Sequence, residues 1–411
     1  MVDERTDPWT DAWHADPLFA FVERMDVADD GSDQSKVWVL DVVREKDVTF
    51  LFGGGKGARA ELSFTVSAQV VVTTSMPPPP DLDGFAEGTW HRVRLGEPNG
   101  IKAVLYRDLD GATNVSTSLT VGTPPPPATG AALLTLVSID DAPEANVTDL
   151  TALAATKGGA FLNVVQVGQG NCNALCDAGG VALLYFDLGA GCLQNAKTKP
   201  ANLEFCFTAQ PPVVLSHWDF DHWYGGSIST AESTAKPNWL APNQPIGVRT
   251  RRFAATLINQ NRLLRWPANH MAHIGPDLEL VKCTGASKND SGIALGVRTQ
   301  GGIVLCPADA AFDHIPVPKI VSGQPLAGLV ATHHGSGHVG NPVPKPGSNA
   351  ALAFSFGTGN SYGHPAASRA LYTAEGWIRH LDTPNGGVSL GGTPTPAPCG
   401  GGACSLTTTQ S

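Results

Sequence analysis

The chain has 411 residues, 42% of them apolar, enough for two or three domains with substantial cores. Glycine (46) and proline (32) are abundant and only 16% of residues are charged, which argues against a helical bundle and for a loop-rich β or α/β protein. The net charge of −10 excludes a global basic field, so a nucleic-acid partner would have to be held by a local patch or by metal ions.

The opening stretch, MVDERTDPWTDAW, is polar and acidic and does not read as a secretory signal. No apolar run approaches the roughly 20 residues that span a bilayer. A cytoplasmic protein without membrane contact is the expectation. Two proline runs, Ser75 to Asp81 and Gly122 to Gly130, read as extended spacers. Around them lie strand-like segments rich in Val, Thr and aromatics: KVWVLDVV, VTFLFGG, LSFTVSAQVVVTT, WHRVRL, IKAVLYRDL and ALLTLVSID. Residues 1–155 are expected to form a small β-rich N-terminal domain. It carries no cluster of catalytic residue types, so its expected work is binding, docking or assembly, with a protein as the candidate partner.

From residue 156 the pattern changes. GGAFLNVVQVGQGNCNALCDAGGVALLYFDLGAG holds two strand-like runs, PPVVLSH a third, and RFAATLINQNRLLRW has helical spacing. LELVKCTG, SGIALGVRT, GGIVLCPADAA, LAGLVAT and LAFSFG read as strands, and AASRALYTAEGW as a helix. Residues 156–392 are expected to form an α/β domain and residues 393–411 a disordered tail. Eight cysteines are unusual for a cytoplasmic chain; they read as buried free thiols, with Cys172-x3-Cys176 a weak alternative zinc signal. Arg249, Arg251, Arg252, Arg262 and Arg265 fall close together and form a candidate phosphate patch, with a solvated helix face as the plainer alternative.

The densest chemistry lies in LSHWDFDHWYGG, where His217, Asp219, Asp221 and His222 fall within six residues after an apolar run. Imidazole and carboxylate are the usual ligands of a borderline or hard divalent cation. A strand end that turns sharply can aim such neighbours into one cleft. Two metal ions can share a hydroxide and clamp a scissile phosphate. Further donors stand at strand ends downstream: Asp309, His333 and His334, and His364 in a loop. His270, His273 and His338 are weaker candidates.

These stretches, in this order, resemble the metallo-β-lactamase superfamily, and within it the hydrolase domain of ComEC-type DNA-internalisation proteins. NVVQVGQGNC is similar to the family's opening strand and turn, and LLYFDLGAG to its Asp-x-Gly strand. LSHWDFDHWYGG is similar to S-H-x-D-x-D-H-x-G-G, and SKNDSGIAL to an Asn/Ser strand. VLCPADA stands where the family has a T-G-D turn. LVATHHGSGH, SFGTGNSYGHP and LDTPNGG resemble its later loops. The likeness covers residues 158 to 390 and leaves out residues 1–155. It implies an αββα sandwich with the metal site along one edge.

It further implies two divalent ions, Mn²⁺ or Zn²⁺, held by His217, Asp219, Asp221, His222 and Asp309, with His333, His334 and His364 as further ligands or substrate contacts. Asp309 would bridge, and Asp187 would lie beneath the ligands. Asn289, Ser291, Ser336 and Tyr362 would meet substrate, and catalytic roles would fall on Asp221, His334 and His364. The implied activity is a phosphodiesterase or nuclease using a two-metal-activated hydroxide on nucleic acid or a nucleotide. Ester, thioester or lactam hydrolysis on the same fold, or a partner-gated effector of a bacterial defence or stress system, are the alternatives. Two departures stand out: Asp219 replaces the superfamily's second His, as in the ComEC-type subgroup, and Pro307-Ala308 replaces Thr-Gly before Asp309.

Overall fold

The structure is a computed structural model that describes residues 8–29, 34–48, 67–154, 159–366, 368–393 and 408–410. Most of VTFLFGG, the start of LSFTVSAQVVVTT, Cys399 and Cys404 lie outside the described residues. The chain forms two compact units, one of residues 1–28, 33–139 and 245–256, the other of residues 29–32, 140–244 and 257–411. Residues 140–155 thus fall with the second unit and 245–256 with the first.

In the first unit, strands β1 (Leu18–Asp29), β2 (Gln34–Arg44), β3 (Ser67–Ser75), β4 (Trp90–Leu95), β5 (Ile101–Tyr106) and β6 (Asn114–Val121) close into a barrel in the order β1-β2-β3-β5-β6-β4. The period-two pattern explains its interior: Leu18, Ala20 and Val22, Trp38, Leu40 and Val42, and Ala68, Val70 and Val72 share one buried cluster. The alternate residues Phe19, Phe21 and Val43 face outward and would leave an apolar patch. Leu133, Leu136 and Val137 cover it. This corrects the reading of ALLTLVSID as a strand: Pro127–Leu136 is a helix that starts on Pro127, where a missing N–H costs nothing.

The buried carboxylates Glu23 and Asp41 both serve the helix Val248–Asn259. Glu23 accepts from Gly247 N at 2.5 Å and Thr250 Oγ1 at 2.9 Å, and Asp41 accepts from Arg249 N at 2.6 Å. They satisfy donors of the first turn that have no helical partner. Burial, reinforced by the charge of Glu23, raises the Asp41 carboxyl to about 7 against hydrogen bonds that lower it.

The second unit is a two-sheet sandwich. One sheet is built from β7 (Phe161–Val164), β8 (Cys172–Cys176), β9 (Ala182–Leu188), β10 (Val213–Val214), β11 (Trp239–Ala241) and β12 (Leu263–Arg265). The other runs in spatial order through β13 (Ala272–Ile274), β14 (Leu278–Lys282), β15 (Ile293–Thr299), β16 (Gly302–Cys306), β17 (Leu326–Val330), β18 (Pro346–Phe354) and β19 (His380–Asp382). Strands β20 (Gly387–Leu390) and β21 (Thr408–Gln410) complete the first sheet, in the order β12-β11-β10-β9-β8-β7-β20-β21. The tail expected to be disordered therefore contributes a short edge strand at 408–410. The sheets meet through Leu162, Leu184 and Phe186 on one side and Leu280, Leu295 and Val304 on the other.

Helix Phe220–Ile228 lies close on the first sheet: a Cβ at Gly225 would sit 2.3 Å from Gly189 O. Tyr372 of helix Arg369–Ala374 and Trp377 pack with Leu329, Leu352 and Phe354 on the outer face of the second. The unit is thus α/β, with mixed sheets and helices outside them. Among the described residues no helix is long and apolar enough to cross a membrane.

Candidate metal centre

The strands β9 to β12 run parallel, as do β16 to β19. Side chains just beyond their carboxyl ends can converge, the usual place for a site in a sheet of this kind. Strand β10 stops at Val214, and Ser216 to Asp219 form the turn that starts helix Phe220–Ile228, whose first turn carries Asp221 and His222. Asp309 follows β16, the turn Thr332–Gly335 follows β17, and His364 lies beyond β18.

The backbone here is unusual. Asp187, Ala308, His333 and His334 have φ of 65, 55, 45 and 55°, in the left-handed region that non-glycine residues rarely adopt. Ala308 thus takes the conformation that glycine favours and delivers Asp309 despite the change from Thr-Gly. Strain of this kind gathers where surrounding structure enforces a working geometry.

Asp309 is buried at the centre of the cluster. Its Oδ1 is 3.2 Å from His222 Nε2, and its Oδ2 is 3.7, 3.6 and 3.8 Å from Nε2 of His217, His333 and His334. Asp221 Oδ2 is 3.3 Å from His334 Nε2, and Asp219 Oδ2 is 3.5 Å from His217 Nε2. The ring of His364 lies 5.6 Å from that of His333 and 6.3 Å from that of His334. Two groups bring their ligand atoms within 4.8 Å of one another: His217, His222 and Asp309, and Asp221, His222 and His334. These groups could bind metal.

The rings are oriented from behind. Asp187 Oδ2 faces His222 Nδ1 at 2.8 Å and accepts from Ser216 Oγ at 2.8 Å and Asn171 Nδ2 at 2.8 Å, while Oδ1 accepts from Ser216 N at 2.6 Å. Ser216 Oγ is 3.0 Å from His217 Nδ1, His334 Nδ1 is 2.9 Å from Ser355 O, and Gln169 Nε2 is 3.2 Å from His364 Nδ1. This leaves the buried atoms His217 Nε2, His222 Nε2, His334 Nε2 and Asp309 Oδ2 without a hydrogen-bond partner. Buried polar atoms are rarely left so, and one explanation is an ion. The donor set, imidazole nitrogen and carboxylate oxygen, fits a divalent metal.

Charge follows the same geometry. Burial opposes protonation of His222, but Asp309 and Asp187 outweigh it and hold the imidazole well above its ordinary pKa. Burial likewise opposes ionisation of Asp309, and His222, His333 and His334 hold it well below the usual carboxylate range. A cation placed among these groups would take over the role of the His222 proton.

Of the expected substrate contacts, Asn289 Nδ2 is 3.5 Å from His333 Nδ1, and Tyr362 stacks on His364 with ring centroids 5.4 Å apart. Ser336 Oγ accepts from His338 N at 3.1 Å, and Ser291 Oγ accepts from Gln244 Nε2 at 2.8 Å. His338 Nε2 lies 2.9 Å from Asp290 Oδ1, and His270 pairs with His273, ring centroids 5.9 Å apart, next to the edge strand β13. The arginine patch is corrected. Arg249 donates to Arg107 O at 2.8 Å and to Ser67 O at 3.2 Å, Arg265 to Ala142 O at 2.9 Å, and buried Arg262 pairs with Glu232. These side chains brace their own units. Sequence reasoning missed Ser216, Gln169, Asn171 and Lys288. Each is a common polar residue, and only proximity in space marks it. Among the described residues Cys172, Cys283 and Cys306 are buried free thiols, and Cys206 is disulfide-bonded, which corrects the free-thiol reading at that position.

No family model matches the chain, and no curated protein matches it. Among solved structures it is similar to the crystal structure of Tm1679, described as a metal-dependent hydrolase of the beta-lactamase superfamily. The TM-score is 0.30 and the identity 12%, over 54% of this chain and 95% of that one.

Proposed function

We propose that this chain is a metal-dependent hydrolase of the metallo-β-lactamase type, close to the ComEC-type hydrolases, acting on phosphodiesters of a nucleic acid or nucleotide. One observation carries the reading: the Nε2 atoms of His217, His222 and His334, buried and without hydrogen-bond partners, converge with Asp309 from three separate turns.

His217, Asp219 and Asp309 would hold one ion, and Asp221, His222 and Asp309 the other, with Asp309 shared. His333, His334 and His364 supply the remaining donors. Bound there, two divalent ions activate water and offset charge on the phosphoryl oxygens. Asp187 fixes the His222 ring. Asn289, Ser336 and Tyr362 are the groups assigned to substrate oxygens. The replacement of a histidine by Asp219 makes the centre harder and favours Mn²⁺ and phosphate over softer partners. Residues 1–155 are assigned to a protein partner.

The test joins metal content to activity. Purified protein and an Asp221→Ala variant are assayed for bound Mn and Zn and offered single-stranded DNA, duplex DNA and a bis-aryl phosphodiester dye. The expected result is about two ions per chain, cleavage by the parent alone, and loss of cleavage in EDTA. Two ions with turnover only of ester, thioester or lactam substrates would refute the phosphodiester assignment. No metal uptake at all would refute the centre.

A further inference from the structure

Within the cluster stands one cation that the ligand pattern does not require. Lys288, in the turn before β15, is buried, and its Nζ lies 3.2 Å from Asp219 Oδ1. The contact is built into the loops on both sides. Gln244 Nε2 donates to Lys288 O at 2.7 Å, and Gln244 Oε1 accepts from the amide of Trp218, next to Asp219, at 3.3 Å. One side chain therefore ties the lysine loop to the ligand loop and fixes the spacing between ammonium and carboxylate.

The two groups of donors are then not alike. Asp187 holds His222 Nδ1, so His222 offers only Nε2 and serves one ion at a time. Taken with Asp221 and His334, it forms a group of three close donors. The other position depends on His217 and Asp219, and Asp219 already shares one oxygen with an ammonium. A carboxylate so engaged has its charge partly neutralised. The ammonium also repels any dication that this carboxylate would bind, and it does so inside a buried site where repulsion is poorly screened.

We propose that Lys288 makes the two metal positions unequal: it weakens the position served by His217 and Asp219, so that this position fills last and empties first. The inference rests on the two-metal reading and adds an order of occupancy to it. At limiting metal the chain would hold a single ion beside Asp221, and Lys288 would act as the resident counter-charge of the empty second position. Lys288 is a positioning residue in this account, acting through Asp219.

The experiment is equilibrium dialysis of the full chain against Mn²⁺, with bound metal counted by mass spectrometry, for the parent, Lys288→Gln and Lys288→Arg. The parent should bind two ions with distinct affinities. Lys288→Gln, which keeps a donor against Asp219 but loses the charge, should tighten the weaker position by about tenfold or more. It should leave the tighter position nearly unchanged. Lys288→Arg, with the charge restored, should keep the gap.

Melting curves supply a second readout. Metal-free Lys288→Gln should melt below the metal-free parent, because Asp219 has lost its counter-charge, and saturating Mn²⁺ should close that difference. Unchanged affinities in Lys288→Gln, or a weaker second position, would overturn the proposal. Should Lys288→Gln not fold, Lys288→Arg decides, since equal affinities in that variant would also overturn it. A parent that binds two ions equally refutes this inference alone, whereas a parent that binds none refutes the two-metal reading beneath it.

Discussion

Asp187 offers the sharpest test of how the site is held. Its carboxylate accepts from four donors: Ser216 N, Ser216 Oγ, Asn171 Nδ2 and His222 Nδ1, at 2.6, 2.8, 2.8 and 2.8 Å. Three of the four converge on Oδ2, and the residue is fully buried. Asp187→Ala strands all four donors. At about 1–3 kcal/mol for each unsatisfied buried group the loss is roughly 4–12 kcal/mol, comparable to the whole stability of a typical domain. That variant should not be recovered folded.

Asp187→Asn is the informative change. If its carbonyl keeps Ser216 N, its amide faces three donors. In that arrangement His222 can be satisfied only by moving its proton to Nε2, the nitrogen aimed at Asp309. A protonated Nε2 cannot bind metal. The fold should therefore survive with reduced stability, while metal affinity falls roughly 10–100-fold. Circular dichroism melts and equilibrium dialysis separate the two effects. Parent-like metal affinity in a folded Asp187→Asn would refute the claim that Asp187 sets the His222 proton.

Three further outcomes are expected. Gly189→Ala would place a methyl group 1.8 Å from Asp221 O and 2.6 Å from Asn171 O, so it should displace Asp221 and lose both metal and stability, measured by metal content and melting temperature. Arg262→Ala breaks a buried pair with Glu232 and should cost about 3–5 kcal/mol in urea unfolding without changing metal per folded chain; weaker DNA binding without destabilisation would restore the phosphate-patch reading. Asp41 has its folded-state pKa raised from 3.8 to about 7, so the stabilisation from its proton is complete below about pH 4 and is lost as pH rises through 7. Asp41→Asn should therefore gain on the parent across that window by up to roughly 4 kcal/mol, and a pH-independent difference between the two in urea melts would refute it.

The site was legible where ligand types crowd along the chain and obscure where they meet only in space. His217, Asp219, Asp221 and His222 announce themselves because four such residues in six positions have few bland explanations. Asp309, His333 and His334, taken alone, read only as polar residues at strand ends; the resemblance marked them as ligands, and the sandwich puts those ends side by side. Lys288 carries no such mark, since a lone lysine in a loop is normally solvated. The helix Pro127–Leu136 was misread because a short apolar run does not distinguish strand from helix, and its form is decided by Phe19, Phe21 and Val43 on a barrel that the run itself does not reveal. The arginines misled for a related reason, because the backbone carbonyls and Glu232 that engage them are distant in sequence.

Charge explains why so much polarity is tolerated here. Asp187, Asp219, Asp221 and Asp309 are buried together, and a buried carboxylate is costly unless paired. Asp187 is covered by four donors, and Asp219 has Lys288 on one oxygen. Asp221 and Asp309 face histidine nitrogens, which neutralise a carboxylate only by taking up a proton. Without metal, Asp309 therefore leans on the His222 proton, which ties up a nitrogen that would otherwise be a donor. Two divalent ions would bring four positive charges to four carboxylates and take over the role of that proton. Such an arrangement makes a poor core, and the same side chains would supply the free energy of metal uptake.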